Sequence, residues 1–446
     1  MEISEYVRGP WLEFSSANNL RSLPSVKDGQ ILTTRKLLWS LRNASEFDTV
    51  ERLGLKAASD TAYKNGGSSI CGALTGMVKG YPGTNNVTLF DGEGQFGTPV
   101  DNDASADRYI SAKISENFRR WFKKEDDDIL EMRIERGKSL EPVAMIPTAP
   151  LCLVNGAFGI GTGYMCHIHP HNPKDIIGAV IGLLETGEFT SDLKPWWKGW
   201  KGVIEKDQTN RNRFFVTGMY EKINATELKI TELPPVYDWA KYKKQVLTQL
   251  LDDPESPIME VVNDSNESTG WDIKIVFKRG TLSKLSHDEI VSLLSLKTSV
   301  THTLSLWDIN DKIKQYESIE ELLTDWAMWR VGLYEVRRKH IIKTLEESIR
   351  WETLKYKVIE AVISTRQYAL EDQDITRMMA DGGYTDQESL DKIMNIPLRQ
   401  MTQQGLVRSS MLVARYKSSL EKYTTTNAEE MMKSELVELL DYYKGW

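Results

Sequence analysis

The chain has 446 residues, with 64 Asp and Glu against 56 Lys and Arg and a formal net charge of −8. That length holds several domains with sizeable cores. Three cysteines without metal-ligand spacing (Cys71, Cys152, Cys166) argue against a disulfide framework and for a reducing, cytoplasmic interior, and no apolar run is long enough to span a bilayer.

The opening Met1-Glu2-Ile3-Ser4-Glu5 has no basic n-region, so no secretory signal is expected. Basic residues gather between Arg21 and Lys64, and again after Tyr109 at Lys113, Arg119, Arg120, Lys123 and Lys124. Acids concentrate toward the C-terminal part. A locally basic face on an acidic body would reconcile this balance with phosphate contact, and taken without further motifs the pattern reads as ordinary solvated surface charge.

The first part, to about Ile146, reads as short helices, turns and a strand. Thr33 to Leu41 has helical apolar spacing and a threonine in place to cap it. Asn65-Gly66-Gly67 breaks the chain, and Ser68 or Ser69 is expected to cap a helix through Met77, stopped by Gly80 and Pro82. Two short helices around a glycine turn resemble a helix-turn-helix, whose second helix enters a major groove. Val87 to Phe90 reads as a strand running into a Gly92 loop, which suits a winged-helix module. The middle, about Pro147 to Asp311, mixes strands (Phe214–Val216, Trp271–Phe277) with a helix over Lys241–Leu251.

The last part is helical. Ile319, Leu322, Trp326, Trp329, Leu333 and Val336 step by threes and fours, a heptad seam. One helix from about Ser318 to Ser364 is expected, with Gly332 against it. A second stretch carries Met432, Leu436, Leu439 and Tyr443 on one face. Between them lies a small helical unit, Asp374 to Val407, holding Pro397. The fold class is therefore α+β and multidomain, with boundaries at 1–146, 147–311 and 312–446.

Three tempting motifs are declined. Gly92-Glu93-Gly94-Gln95-Phe96-Gly97 fits a dinucleotide fingerprint by letter, but Thr98-Pro99 follows and no helix opens to receive a pyrophosphate. His167, His169 and His171 alternate, yet no nearby cysteine or carboxylate completes a metal shell, so they read as turn residues. Glu125-Asp126-Asp127-Asp128 reads as a solvated loop. No metal ligand is assigned to this chain.

The most informative pair is Arg108-Tyr109, which lies between Gly92–Gly97 and the block Asn155-Gly156-Ala157-Phe158-Gly159-Ile160-Gly161-Thr162-Gly163. With Arg21-Ser22-Leu23-Pro24-Ser25, Asp28-Gly29, Arg35-Lys36-Leu37-Leu38, Asn172-Pro173-Lys174-Asp175-Ile176, Pro195-Trp196-Trp197-Lys198-Gly199-Trp200 and Thr231-Glu232-Leu233-Pro234, it resembles the breakage-reunion part of type IIA DNA topoisomerases. An extent of this kind is similar to the medium subunit of bacteriophage type II topoisomerases, related to the A subunit of gyrase. The resemblance implies a winged-helix DNA-binding domain, an α/β tower domain, and a long antiparallel coiled-coil arm with a helical dimerisation tip.

It also implies roles. Tyr109 is the nucleophile that attacks a DNA phosphate, and a phenol at neutral pH needs a base, cation or metal to activate it. Arg108 stabilises the charge that builds on the phosphate. Arg21, Arg35, Lys36, Lys64, Asn65 and Ser69 fall at DNA-holding positions, and Ile160 at the residue that wedges between base pairs. The family has histidines where this chain has Tyr63-Lys64-Asn65-Gly66-Gly67; either Lys64 or Asn65 supplies the missing donor, or the segment is an ordinary exposed turn. The implied partners are double-stranded DNA, a second copy of the chain, and a large subunit bringing the ATPase and the acidic domain that binds Mg2+. The setting would be host cytoplasm if the chain is viral. The alternative is a DNA-binding or architectural protein that keeps the scaffold without cleavage.

Overall fold

A computed structural model describes residues 3–189, 192–266, 270–365 and 372–445. The chain divides into two compact units, Met1–Arg330 with Glu435–Trp446, and Val331–Ser434.

The first unit opens with α1 (Ile3–Tyr6), a π-helical stretch (Val7–Trp11) and α2 (Leu12–Ser22). Next comes α3 (Leu32–Leu41), which buries Thr33, Arg35, Lys36, Leu37, Leu38 and Leu41 and so is a core helix. It begins one residue before the expected Thr33 cap, and Ile31 at the cap offers no side-chain bond. After β1 (Asp48–Thr49), the Thr49 hydroxyl accepts the Arg52 N–H and caps α4 (Val50–Asp60). The following helix, α5 (Gly67–Val78), starts at Gly66 with φ 89 and no side-chain cap, so neither Ser68 nor Ser69 takes that role.

β2 (Phe90–Glu93) and β3 (Ser111–Ile114) complete an antiparallel sheet of order β1-β3-β2. The strand expected at Val87 starts later. The Asn155 side chain takes both backbone groups of Val87, its Oδ1 accepting the N–H and its Nδ2 donating to the C=O, each at 2.8 Å, in place of a ladder.

Beyond α6 (Glu116–Trp121) come the hairpin β4 (Met132–Glu135) and β5 (Lys138–Pro142), and the buried turn α7 (Leu151–Val154). β6 (Ala157–Ile160) and β7 (Met165–Ile168) form a second hairpin, followed by α8 (Pro173–Thr186), which Asn172 caps. The rest is mixed. Its elements are β8 (Val203–Lys206), β9 (Arg213–Thr217), β10 (Met219–Lys222), β11 (Glu227–Glu232), α9 (Trp239–Tyr242), α10 (Thr248–Asp252), β12 (Ile258–Asn263), β13 (Ile273–Phe277), α11 (His287–Leu293), β14 (Lys297–Thr301), β15 (Thr303–Trp307) and β16 (Ile313–Gln315). Three sheets result, of order β10-β11-β13-β12, β14-β9-β8 and β16-β15-β7-β6. The first is half-buried. Leu228 and Ile230 alternate inward with Ile273 and Ile275 and pack on Tyr242 and Leu294.

The expected long helix is α12 (Ile319–Thr365), and Gly332 does not interrupt it. Its buried stripe departs from the expected seam. Val336 is exposed, and burial passes instead through Arg330, Tyr334 and Arg337. Arg330 is fully buried because it forks onto Asp126 at 2.7 and 3.3 Å. This corrects the reading of a solvated loop for Asp126 alone, since an acidic residue with a buried guanidinium partner belongs to the core, while Glu125, Asp127 and Asp128 are exposed as expected.

In the second unit α13 (Asp372–Asp381) and α14 (Gln387–Met394) pack Ile375, Met379 and Ile393 on Leu354 and Val358 of α12. The return path is two helices, α15 (Gln403–Thr425) and α16 (Ala428–Tyr442). Asn427 and Glu430 divide them by exchanging side-chain bonds to each other's N–H at 2.8 and 3.1 Å. Met432, Leu436, Leu439 and Tyr443 are buried as their spacing predicts. The observed fold is mixed helix and sheet in both chain order and content.

Candidate functional site

Tyr109 is 71% exposed, while its backbone is fixed on both sides. Its N–H donates to the Ala106 carbonyl at 2.8 Å, closing a turn. The carbonyls of Asp107 and Ile110 accept the N–H groups of Glu51 and Val50 at 3.2 and 2.9 Å, which are the first amides of α4. Ile110 is fully buried. Gly94, at φ 101, closes the other side: a Cβ there would sit 3.0 Å from Ile110 Cγ2 and 3.5 Å from the Tyr109 carbonyl. The Arg108 guanidinium carbon lies 4.8 Å from the Tyr109 ring centroid. A solvent-facing phenol on a rigid turn with a planar cation beside it can reach a phosphorus atom and shelter the charge formed there. Of the glycines in Gly92–Gly97, Gly94 serves this turn, while Gly92 abuts Val78 and Phe96 and Gly97 abuts Asn102. β2 ends at Glu93 and no helix opens between Gly97 and β3.

The Tyr63–Ser69 turn lies at the other end of α4. Ala62 and Gly66 turn the chain at positive φ, 50 and 89. Lys64 is exposed and pairs with Glu135 of β4 at 2.6 Å, and this bond holds the Glu135 carboxyl below the usual carboxylate range. Asn65 is exposed, and Ser69 meets the Tyr63 hydroxyl at 3.1 Å. The open first turn of α5 lies beside them, where free amides suit an anion. Since α4 has 11 residues, it holds this turn about 16 Å from Tyr109 within one chain.

Two residues expected to touch DNA are buried. Arg35 donates to Asp28 through Nε at 2.6 Å and a terminal nitrogen at 3.0 Å, and to the Gln30 carbonyl. Burial alone would lower its pKa, but Asp28 outweighs that and raises it. Lys36 donates to Glu141 at 2.7 Å and to the Thr61 carbonyl; burial lowers its pKa and Glu141 opposes the shift. Both heads are consumed inside the protein, so direct phosphate contact is corrected to a supporting role under α3. The signals were Asp28, seven residues upstream, and Glu141 in an apolar stretch.

Arg21 and Ile160 are brought together. Arg21 is exposed and donates to Asn18 Oδ1 at 3.1 Å, and Asn18 Nδ2 donates to the Thr162 hydroxyl at 3.1 Å. Thr162 sits in the turn that follows Ile160, which is 61% exposed at the end of β6. Residues 18 and 19 were missed by sequence reasoning, and two adjacent asparagines near a helix end carry little signal.

His167, His169 and His171 are not turn residues. His167 is on β7, and the ring of His169 lies 4.2 Å from His167 and 5.4 Å from His302. His171 stacks on His302 at 5.2 Å. Burial first, and the neighbouring imidazoles second, drive His169 down to about 3. Burial alone is the main cause for His171, at about 4. His302, absent from the sequence motif, completes the stack. Among the described residues, no group of three or more His, Cys, Asp or Glu is placed to hold a metal.

Comparison with known proteins agrees with this architecture. The family of the A subunit of DNA gyrase/topoisomerase IV matches residues 21–439. The chain is similar to DNA topoisomerase 2 of Arabidopsis thaliana, 32% identical over 373 residues, 81% of this chain and 25% of that protein. It is similar to DNA topoisomerase 2 of Invertebrate iridescent virus 6, 28% identical over 98% of this chain and 39% of that protein. The chain thus spans between 25% and 39% of the length of these curated relatives. It superimposes on the DNA-binding, cleavage and re-ligation domain of Plasmodium falciparum topoisomerase II with a TM-score of 0.89 at 26% identity, over 98% of this chain and 64% of that one.

Proposed function

This chain belongs to the family of the A subunit of DNA gyrase/topoisomerase IV, and on that footing we propose that it cuts and reseals DNA as part of an ATP-dependent type II DNA topoisomerase. The observation that carries the proposal is the exposed Tyr109 phenol, carried on a backbone turn that the first amides of α4 hold at Asp107 and Ile110, and flanked by Arg108. The phenolic oxygen attacks a backbone phosphorus, the bond from phosphorus to the 3′ oxygen breaks, and a 5′-phosphotyrosyl ester forms. The proton lost by the phenol is matched by the one gained on the 3′ hydroxyl. Because one ester replaces another, resealing is the reverse step and needs no external energy. Arg108 offers its fork of donors to the phosphate oxygens, where charge is greatest during attack.

One chain carries one Tyr109, and a double-strand break needs two, so the acting form is a homodimer. A duplex passes through the break before resealing. The helices α3 to α5 with the β1-β3-β2 sheet support a winged-helix domain within 1–146. The mixed sheets support a tower over 147–311, and α12 to α16 support a coiled-coil arm and dimerisation gate over 312–446. Magnesium would act beside the cut phosphate, and the resemblance implies that an acidic domain outside this chain supplies it. It and ATP belong to a large subunit, in a heterotetramer like that of bacteriophage enzymes whose medium subunit this chain resembles. Host cytoplasm is the matching setting.

The rival reading, a scaffold that binds DNA without cutting it, rests on the altered Tyr63–Gly67 turn and gives no role to the exposed, anchored phenol. Mixtures of the chain, its partner subunit, magnesium and a trapping poison are expected to leave protein on DNA 5′ ends. Tyr109→Phe should bind DNA and leave none; adducts persisting in that variant overturn the proposal.

A further inference from the structure

One face of the β6–β7 hairpin is apolar and open. Strand alternation places Phe158 and Ile160 on the same side, 58% and 61% exposed. The pairing register sets His167 opposite Phe158 and Met165 opposite Ile160. Tyr164 and Met165 are exposed beside them. The reverse face is closed. Ala157, Cys166 and Ile168 are buried, and a Cβ on Gly159 would collide with the Ser22 carbonyl. The hairpin therefore cannot roll over to bury Phe158.

The Phe158 ring is also braced. It stands edge-on to His167, centroids 5.3 Å apart at 83°, and His167 leans on the buried His169. The same ring walls a groove of about 650 Å3 whose other residues include Lys79, Lys241, Asn85 and Asn102. Lys79 gives two donors to Asn102, Lys241 one to the Val236 carbonyl, and the Asn85 amide is taken by the Gly76 and Lys79 carbonyls. The two ammonium charges and their remaining donors still suit phosphate, so the occupant indicated is a nucleic acid backbone rather than an apolar protein surface.

Resting on the cleavage reading above, we propose that Phe158 is a specificity-determining residue that contacts the same duplex as Ile160 and selects which base steps bend and are cut. Neighbours two apart on a strand are separated by about 6.6–6.8 Å, roughly two base-pair rises of ~3.4 Å. A flat ring at that spacing stacks on a base near the step that Ile160 opens.

The test scans a fluorescent adenine analogue, which brightens on unstacking, through a short duplex bound by the full chain. The expected result is two bright positions, one lost in Ile160→Ala and the other in Phe158→Ala, with about tenfold weaker binding in the latter and an intermediate signal in Phe158→Leu. Equal thermal unfolding of the variants separates this from misfolding. An unchanged scan and affinity in Phe158→Ala overturns the assignment. Because the scan needs no cleavage, failure of the wild-type chain to form adducts would count against the cleavage reading alone.

Discussion

Asn19 and Thr162 hold each other from both sides. The Thr162 N–H donates to Asn19 Oδ1 at 2.6 Å, and Asn19 Nδ2 donates to the Thr162 carbonyl at 3.3 Å. Asn19 is buried on α2, and Thr162 is in the turn of the β6–β7 hairpin. This latch fixes the hairpin tip, and so the direction in which Ile160 projects. Asn19→Ala leaves the half-buried amide and carbonyl of Thr162 without this partner, which costs at most about 1–3 kcal/mol. Urea unfolding should show that loss, and DNA bending by the variant should fall under conditions where it is still folded.

Arg35 and Arg21 are expected to behave in opposite ways. Arg35→Ala strands Asp28, which is fully buried, and removal of one partner of a buried pair costs about 3–5 kcal/mol. Arg21→Ala touches an exposed residue, so unfolding should not change. DNA binding should weaken uniformly across sequences, with the salt slope reduced by about 1. Titrations at several salt concentrations, alongside unfolding, distinguish the two.

The imidazole stack predicts a loss of stability in acid. His169 and His171 titrate at about 3 and about 4 in the folded chain, against ~6.5 when unfolded. Between those limits the unfolded chain binds more protons, so stability falls as pH falls, by about 1.4 kcal/mol per pH unit for each histidine. Glu232 opposes this, since burial raises its carboxyl to about 7. Its folded form holds the proton longer, so its contribution is full in acid and fades as pH rises. Replacing His171 by Phe keeps Glu232, His169 and His302, so the acid slope should shrink but not vanish, and the difference between the two proteins reports His171 together with its effect on the neighbouring imidazoles.

Lys64 tests what replaces the histidines at its turn. Its bond to Glu135 lies at the surface, where such pairs contribute little to folding. Lys64→Ala should unfold at an unchanged temperature and lose about tenfold in cleavage, the size of one charged phosphate contact. Unchanged cleavage would mark the turn as ordinary surface.

Periodicity made the helices and the α+β mixture legible, because burial of α12, α16 and the Ile273–Phe277 strand follows from side-chain spacing. The seam beyond Trp329 was not legible. Arg330 is a charged residue whose burial depends on Asp126, 204 positions away. The same blindness to long-range pairing hid the fates of Lys36 and of His302. Tyr109 was singled out through the resemblance that the flanking glycine-rich blocks carry, and the exposure of Ile160 was legible because the glycines around it favour a projecting tip, whereas Phe158 was hidden among them as one more apolar residue.

The central claim is that one tyrosine exchanges esters with DNA. Trapped covalent complexes, digested with nuclease and protease, should yield a peptide spanning Arg108 and Tyr109 whose mass carries a 5′-phosphonucleotide on the tyrosine. A nucleotide found on any other residue, or intact cleavage with that peptide unmodified, would contradict the account.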